Sequence, residues 1–281
     1  MRFVGLGLAS FVVAGLAFWA GPAAAQADRL SRGAYLVNVA GACGNCHTPK
    51  GPQGDLPGRG LAGGMVFEEP VFRAVAPNIT PDPETGIGRW TDAQIATAIR
   101  EGRRPNGTII GPPMPIELYR GISDEDVAAM VAYLRTVPPV VNRVEPSRYD
   151  IPLPASYGPP ITEPVPGPAN DAISRGAYLA GPIAHCTECH TPMGAGGQRD
   201  WSQIGAGGQI FSGPWGSAAA ANITPTGLGR VEDSLILRAI TRGIAFDGTP
   251  LRPPMGYAYY AGLSQQDQED LLAWLRSLPP R

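Results

Sequence analysis

One five-residue pattern occurs twice in this sequence, and it constrains the fold more than any other feature. The two copies span residues 43–47 and 186–190, and both read C-x-x-C-H. Two thiols at this spacing can add across the vinyl groups of one haem, and the histidine that follows then lies beneath the iron. We therefore predict two covalently bound haem c groups. The predicted attachment cysteines and proximal iron ligands are Cys43, Cys46, His47, Cys186, Cys189 and His190.

Paired cysteines have two other common uses. A dithiol redox site needs only the cysteines, and does not require a histidine directly after each pair. A zinc site needs four ligands, which two distant C-x-x-C pairs could supply only if the fold brought them together. All four cysteines of the chain lie in the two patterns, and a histidine follows both pairs. This favours haem attachment over the two alternatives.

The composition predicts a mainly α but loop-rich protein. The 281 residues include 37 glycines and 31 prolines, and only 16% of the residues are charged. A large flat cofactor suits such a chain, because it supplies apolar surface for loops to cover. The net charge of −2 gives no basic surface for nucleic acid. Lys50 is the single lysine, so a charged docking face must be made of arginine or acidic residues.

The first 27 residues resemble a targeting segment. Arg2 precedes an apolar run from residue 3 to residue 20, Pro22 interrupts it, and small residues then provide cleavage sites. A retained membrane anchor is the alternative, because the run approaches the length that spans a bilayer. Either way we expect the rest of the chain to be exported, to a bacterial periplasm.

An internal repeat covers the remainder. Ser31-Arg32-Gly33-Ala34-Tyr35-Leu36 returns at 174–179, Asn-Ile-Thr-Pro at 78–81 returns at 222–225, and Pro-Pro-Met at 112–114 returns at 253–255. Two tandem copies of one haem domain explain this most simply. We predict a first domain at 28–142, a second at 171–281, and between them a stiff linker at 143–170 with eight prolines.

Each repeat predicts three helices and almost no strand. In the first repeat, one helix runs from about residue 29 to residue 40 and leads into C-x-x-C-H. A second begins at Thr91 with a capping box to Gln94 and ends at Gly102. The last begins at Ser123. The second repeat carries the same pattern, with Gly243 and Ser264 at the corresponding boundaries.

The second axial ligand decides what each haem does. Methionine, histidine, cysteine and lysine are the realistic donors, but no cysteine is spare, and the chain has one lysine and one unassigned histidine. Methionines are therefore the main candidates. Met114 and Met255 occupy matching positions after Pro-Pro, whereas Met65, Met130 and Met193 have no methionine counterpart in the other repeat. We therefore predict Met114 and Met255 as the distal iron ligands. Two axial ligands block substrate from the iron, which indicates electron transfer and not catalysis. His185, the remaining histidine, precedes its motif on the proximal side and is better interpreted as a surface or supporting residue.

These motifs, together with Gly-Ile-Gly-Arg-Trp and the closing Tyr-Leu helix, resemble class I c-type cytochromes. More narrowly, they resemble the cytochrome c subunits of bacterial periplasmic alcohol, aldehyde and gluconate dehydrogenases. The resemblance implies that the helix with Gly33 crosses the terminal helix of its domain, and that Gly176 does the same. It also makes Asn78 and Asn222 candidate donors to haem propionates, with a structural turn as the equal alternative. Arg89 and Arg230 are further candidates for pairing with propionates.

Three functional hypotheses follow. The first is a periplasmic dihaem carrier that takes electrons from a periplasmic or membrane-bound dehydrogenase and passes them to a terminal oxidase, a quinone-linked acceptor or another cytochrome. The second is a dihaem enzyme of peroxidase or thiosulfate-oxidising type, which needs one openable haem. The third is a membrane-anchored respiratory subunit. Many members of the resembled family carry a third haem domain and a membrane-associating segment, which this sequence does not show.

Overall fold

A computed structural model describes Met1 and residues 22–195, 197–213 and 215–281. Most of the predicted targeting segment lies outside the described residues, and residues 23–27 form exposed turns of the first helix. Among the helices that the structure describes, none is long and apolar enough to cross a membrane.

The helices of the first repeat recur in the same order in the second, which has one more, α8 (Pro225–Leu228). Those of the first repeat are α1 (Pro22–Tyr35), α2 (Cys43–His47), α3 (Asp92–Glu101), α4 (Ile116–Tyr119) and α5 (Asp124–Leu134). Those of the second are α6 (Ala172–Tyr178), α7 (Cys186–His190), α8 (Pro225–Leu228), α9 (Asp233–Arg242), α10 (Tyr257–Tyr260) and α11 (Gln265–Ser277). A single 3₁₀ turn, Trp201–Gln203, lies in the second repeat among the described residues.

The helix that leads into each C-x-x-C-H pattern ends in a wider turn than the sequence predicts. After α1 the chain forms a π-helical segment at Leu36–Ala40, and after α6 another at Leu179–Ile183. The residue before each first cysteine then adopts a left-handed conformation, with φ of 46° at Ala42 and 43° at His185. Such a conformation is uncommon for a residue with a β-carbon. The same local geometry therefore redirects the chain into both attachment helices.

Short strands are present, contrary to our expectation. They are β1 (Lys50–Gly51), β2 (Gly54–Asp55), β3 (Val66–Glu69), β4 (Phe72–Val75), β5 (Arg148–Tyr149), β6 (Ile210–Gly213) and β7 (Gly216–Ala219). They pair antiparallel as β1–β2, β3–β4–β5 and β6–β7. None is longer than four residues among those described, and three of the four residues of β3 are exposed. Strands this short are held largely by main-chain pairing. They therefore show little of the alternation of apolar and polar residues by which a strand is recognised in a sequence.

The segment between the repeats is bound to the first one. Its strand β5 pairs with β4. The hydroxyl of Tyr149 donates to the carbonyl of Pro112 over 2.8 Å, and that of Tyr157 donates to the carbonyl of Ile110 over 2.7 Å. The segment therefore lies against the loop that leads to Met114.

The predicted helix boundaries are confirmed where side chains cap the ends. Thr91 and Gln94 form the reciprocal capping box at α3, and the helix ends at Gly102 with φ of 65°. Ser123 accepts from the amide of Asp126 over 3.1 Å at the start of α5. The second repeat reproduces the serine cap at α11 and the left-handed glycine after α9.

The expected helix crossing is also confirmed in both repeats. A β-carbon at Gly33 would lie 2.0 Å from the carbonyl oxygen of Ala129 in α5. A β-carbon at Gly176 would lie 2.0 Å from the carbonyl oxygen of Asp270 in α11. Only glycine permits this approach of two helix backbones, which explains why both repeats carry it.

The two repeats pack against each other through reciprocal contacts. The hydroxyl of Tyr178, from the second repeat, accepts from the amide of Ser123 in the first over 3.0 Å. The hydroxyl of Tyr35, from the first, accepts from the amide of Ser264 in the second over 3.1 Å. Reciprocity of this kind is the property of a two-fold interface between equal units. The two repeats are therefore related by an approximate two-fold axis.

The apolar core continues across this interface. A single cluster of buried side chains includes Leu36 and Ile122 from the first repeat, and Ile183 and Leu263 from the second. At the edge of the contact, a β-carbon at Gly121 would lie 2.9 Å from Pro182 and one at Gly262 would lie 3.1 Å from Val39. The centre of the interface is therefore apolar, and the hydroxyls of Tyr35 and Tyr178 contribute polar contacts.

Candidate haem-binding sites

Two of the four cysteines lie on one turn of α2, and the other two lie on one turn of α7. Their side chains are half-buried thiols that are not joined to one another. Burial raises the pKa of the Cys43 and Cys186 thiols to about 12. Burial, followed by the charge of Glu188, raises that of Cys46 to about 11. The two cysteines of each pair lie three residues apart on a single helical turn.

Both motif histidines are held in one tautomer by the main chain. Nδ1 of His47 lies 2.8 Å from the carbonyl oxygen of Pro77, and Nδ1 of His190 lies 2.7 Å from that of Ala221. A carbonyl oxygen can only accept, so Nδ1 carries the proton and the lone pair is at Nε2. Desolvation also lowers the pKa of both imidazoles and keeps them neutral. A neutral imidazole with a free Nε2 and a fixed Nδ1–H is what metal coordination requires.

These residues fit a covalently attached haem in both repeats. Each site combines two thiols on one turn with an oriented neutral imidazole directly after them. When bound, the haem would supply an iron centre that changes oxidation state by one electron. Within the described residues, no group of three His, Cys, Asp or Glu side chains is placed to hold a metal ion by itself.

The two predicted methionine ligands occupy equivalent places in the fold. Met114 precedes α4 and Met255 precedes α10, and both half-buried side chains pack against the core. Each follows a cis Pro–Pro bond. The other methionines differ: Met130 is buried in α5, while Met193 is exposed. The assignment of Met114 and Met255 as distal ligands stays a prediction.

The two asparagines of the Asn-Ile-Thr-Pro segments are placed in turns. Asn78 is 3% exposed, and its amide donates to Thr85 over 3.0 Å and to the carbonyl of Val140 over 2.7 Å. Its oxygen accepts from the amide and the hydroxyl of Thr80. These four hydrogen bonds are the ones expected if Asn78 stabilises a turn and does not bind a propionate. They engage both hydrogens of its side-chain amide.

Asn222 makes the same turn contacts with Thr224, and its amide donates to the carbonyl of Arg281 over 2.9 Å. Arg89 is exposed, 3.7 Å from Glu84, and Arg230 is exposed as well. The predicted contacts of these four residues with propionates remain untested.

His185 lies at the interface between the repeats. Its Nδ1 is 3.2 Å from a carboxylate oxygen of Glu188, and its ring meets the edge of Tyr119 at a centroid distance of 6.0 Å. Tyr119 belongs to the first repeat, so His185 contacts the opposite domain directly before the second attachment motif. This placement agrees with a supporting role.

Two buried tyrosines lie beside the cysteines, and no sequence motif points to them. Tyr119 and Tyr260 are 8% and 6% exposed, and burial, with the nearby cysteines, raises the pKa of each hydroxyl well above its ordinary value. Tyr260 donates to the carbonyl of Ala184 over 2.9 Å, two residues before Cys186. Their equivalent position in the repeat is the one sequence signal that could have revealed them.

Two tandem sites of this kind define a dihaem c-type cytochrome, with one covalent haem c in each repeat. The cytochrome c family model matches residues 30–138 and again residues 173–279, and the chain belongs to that family. Both matched ranges contain one attachment helix.

Curated relatives agree with this assignment. The chain is 32% identical to the fructose dehydrogenase cytochrome subunit of Gluconobacter japonicus, over 92% of this chain and 54% of the relative. It is 32% identical to the alcohol dehydrogenase (quinone) cytochrome c subunit of Komagataeibacter europaeus, over 96% of this chain and 61% of the relative. A diheme cytochrome c-type of Cereibacter sphaeroides is 35% identical, over 67% of this chain and 65% of the relative.

The chain spans roughly half to two thirds of the length of these three relatives. Two of them are named as cytochrome subunits of dehydrogenases, and none as the catalytic subunit. The chain is therefore similar to proteins that are named as cytochromes or as cytochrome subunits of dehydrogenases.

Proposed function

We propose that this chain is a periplasmic dihaem electron carrier. It accepts electrons from a dehydrogenase and passes them to a downstream respiratory acceptor through two haems, each with one histidine and one methionine ligand. The observation that carries the proposal is the repetition of a complete site: an oriented histidine after each cysteine pair, and a methionine at the same place before α4 and α10. The proposal includes two haem domains, at 28–142 and 171–281, and a linker between them at 143–170.

The ligand set supports a carrier over an enzyme. A thioether ligand favours ferrous iron and raises the reduction potential, which suits an acceptor of electrons. Two protein ligands leave no position for substrate at the iron. The names of the relatives supply the class of donor, since fructose and alcohol dehydrogenases have cytochrome subunits similar to this chain. An oxidase, a quinone-linked complex or another cytochrome would accept the electrons.

Visible spectroscopy of the purified protein tests the ligands. A methionine–iron bond gives ferric haem a weak charge-transfer band in the red, and its strength in the wild type should account for both irons. Met114→Ala and Met255→Ala should each remove about half of it, while Met130→Leu, inside α5, should retain all of it. A band that Met114→Ala or Met255→Ala leaves unchanged would show a different ligand and would favour the dihaem enzyme.

Two further measurements test the rest of the proposal. Mass spectrometry of the mature protein gives the number of covalent haems and shows whether residues 1–27 are removed. Co-purification from native membranes and periplasm should recover a dehydrogenase that reduces the cytochrome when its substrate is added. Reduction by no dehydrogenase fraction would contradict the proposed donor.

A further inference from the structure

A hydrogen bond joins the haem-attachment turn of the first repeat to the methionine loop of the second. Asn45 lies between the two cysteines of the first motif, and its side-chain amide donates to the carbonyl oxygen of Pro254 over 3.3 Å. Pro254 directly precedes Met255. One side chain therefore connects the residue next to Cys46 with the residue next to the proposed distal ligand of the other haem.

The surrounding contacts hold these two segments together. A β-carbon at Gly44 would lie 3.0 Å from the ring of Tyr259, so α2 and α10 are in direct contact. The ammonium of Lys50 lies 3.1 Å from the Tyr259 hydroxyl and 5.3 Å from its ring centroid. The same hydroxyl donates to Asp55 over 2.8 Å. Asn45 is thus placed in a packed corner of the interface, half-buried, where its amide has a defined partner.

The link is not repeated on the other side of the two-fold axis. The residue equivalent to Asn45 is Glu188, and the residue equivalent to Pro254 is Pro113. An ionised carboxylate has no hydrogen to donate to a carbonyl oxygen. Glu188 instead lies 3.2 Å from Nδ1 of His185. The bond from Asn45 therefore distinguishes the two sides of the interface.

We propose that Asn45 is a positioning residue for electron exchange between the two haems. Electron tunnelling decays steeply across empty space and less steeply through bonded and hydrogen-bonded atoms. The path from Cys46 through Asn45 to Pro254 and Met255 contains a single non-covalent step, the 3.3 Å hydrogen bond. With haem attached at Cys46 and Met255 bound to the second iron, this path would connect the two haem sites.

This inference rests on the proposed function, because it needs two haems and Met255 as a ligand. The step itself is balanced without a further reactant. When both haems are bound, one electron would leave ferrous iron in one domain and reduce ferric iron in the other, with no proton transferred and no covalent bond changed. The side chain of Asn45 is neither oxidised nor reduced; it holds the two segments at bonding distance.

Exchange spectroscopy of a half-reduced sample tests the proposal. NMR exchange between haem methyl signals gives the intramolecular rate, which is the part that does not depend on protein concentration. Asn45→Leu keeps the size of the side chain and removes its donor. We expect it to lower the intramolecular rate several-fold while both reduction potentials and the methionine charge-transfer band are retained. Asn45→Asp, which also lacks a donor, should lower it similarly.

Asn38→Ala is the matched control. The Asn38 amide donates to the Tyr133 hydroxyl over 2.6 Å inside the first repeat, on the surface. The variant should retain the wild-type rate. A wild-type rate in both Asn45 variants, or an equal loss in Asn38→Ala, would overturn the proposal. If the proposed function itself is wrong, the wild-type protein will lack the methionine–iron charge-transfer band. That outcome is distinct from any change in the exchange rate of the variants.

A measurement on the wild-type protein covers the case in which the Asn45 variants fail to incorporate haem. In the fully reduced, diamagnetic protein, the side-chain amide of Asn45 should exchange with solvent more slowly than that of the exposed Asn106. Equal exchange of the two amides would show that the bond to Pro254 is not maintained in solution, and the proposal would fall.

Discussion

Tyr178 of the second repeat closes the amino end of helix α5 in the first. Its hydroxyl accepts from the amide of Ser123 over 3.0 Å and donates to a carboxylate oxygen of Asp126 over 2.8 Å. The same carboxylate receives two bonds of 2.8 Å from Arg32. A helix end that is usually satisfied within its own domain is therefore completed by the neighbouring one.

The reciprocal contact at Tyr35 is more open. Its hydroxyl accepts a hydrogen bond from the amide of Ser264 and donates one to the carboxylate of Asp267. Ser264 is exposed, whereas Ser123 is only 4% exposed. The arginine of the second repeat, Arg175, pairs with Asp270 one turn further along α11 and not with Asp267. The two halves of the interface therefore make the same kind of contact, but the half at Tyr178 is more buried than the half at Tyr35.

This inequality predicts the effect of removing each hydroxyl. Tyr178→Phe leaves the buried Asp126 without one partner, and it should lower the free energy of unfolding by about 1–3 kcal/mol. Tyr35→Phe should cost less, because water can reach Ser264. Urea unfolding of the haem-loaded protein, followed by tryptophan fluorescence, gives both values. Tyr133→Phe, at a surface hydroxyl, is the control and should stay within about 0.5 kcal/mol of wild type. Equal losses in the two interface variants would contradict the difference in burial.

Stability should fall in alkali, and the interface tyrosines should contribute to the fall. Burial raises the pKa of Tyr35 and of Tyr178 from 10.0 to about 12. A tyrosine whose pKa is higher in the folded state stabilises the fold fully below the unfolded pKa, and loses that contribution as pH rises toward the folded pKa. The unfolding free energy should therefore decrease between about pH 10 and pH 12. The double variant Tyr35→Phe/Tyr178→Phe should show a shallower decrease, and an unchanged slope would argue against these pKa shifts.

The crossing glycines should tolerate no side chain. In Gly33→Ala and Gly176→Ala the new methyl group would meet a carbonyl oxygen of the crossing helix, so the helices must separate. We expect a loss of about 3 kcal/mol or more and a reduced yield of haem-loaded protein, measured by unfolding and by the haem-to-protein absorbance ratio. Gly60→Ala is the control, since a β-carbon there meets nothing within 4 Å. A wild-type yield and stability in Gly33→Ala would refute the close crossing.

Asn78→Ala separates the two interpretations of the Asn-Ile-Thr-Pro segment. If Asn78 is a structural residue, its loss leaves buried partners unsatisfied and should cost about 1–3 kcal/mol in unfolding free energy. The potential of the first haem should then hardly change. If it is instead a propionate donor, potentiometric titration should show a clear shift of that potential. The four hydrogen bonds of Asn78 favour the first outcome.

Much of each site could be predicted because its signals are local. Cys43, Cys46 and His47 lie on one turn, so their order in the chain already places them together. The cap at Thr91 and the left-handed Gly102 act within a few residues, and they appear as expected. The repeat adds Met114 and Met255 as proposed ligands, by comparison of equivalent positions, and these two stay a prediction. The π-helical turns and the short strands were not predictable, because they depend on main-chain geometry more than on apolar periodicity.

The sequence by itself determined the chemistry of the two halves: cysteine pairs, histidines and a matched methionine in each repeat. The tertiary structure alone decided how the halves meet. Tyr35 contacts Asp267 across 232 residues of chain, and Asn45 contacts Pro254 across 209. Neither contact leaves a local pattern, because both form only when the two repeats pack against each other. That packing sets the attachment turn of one repeat against the methionine loop of the other.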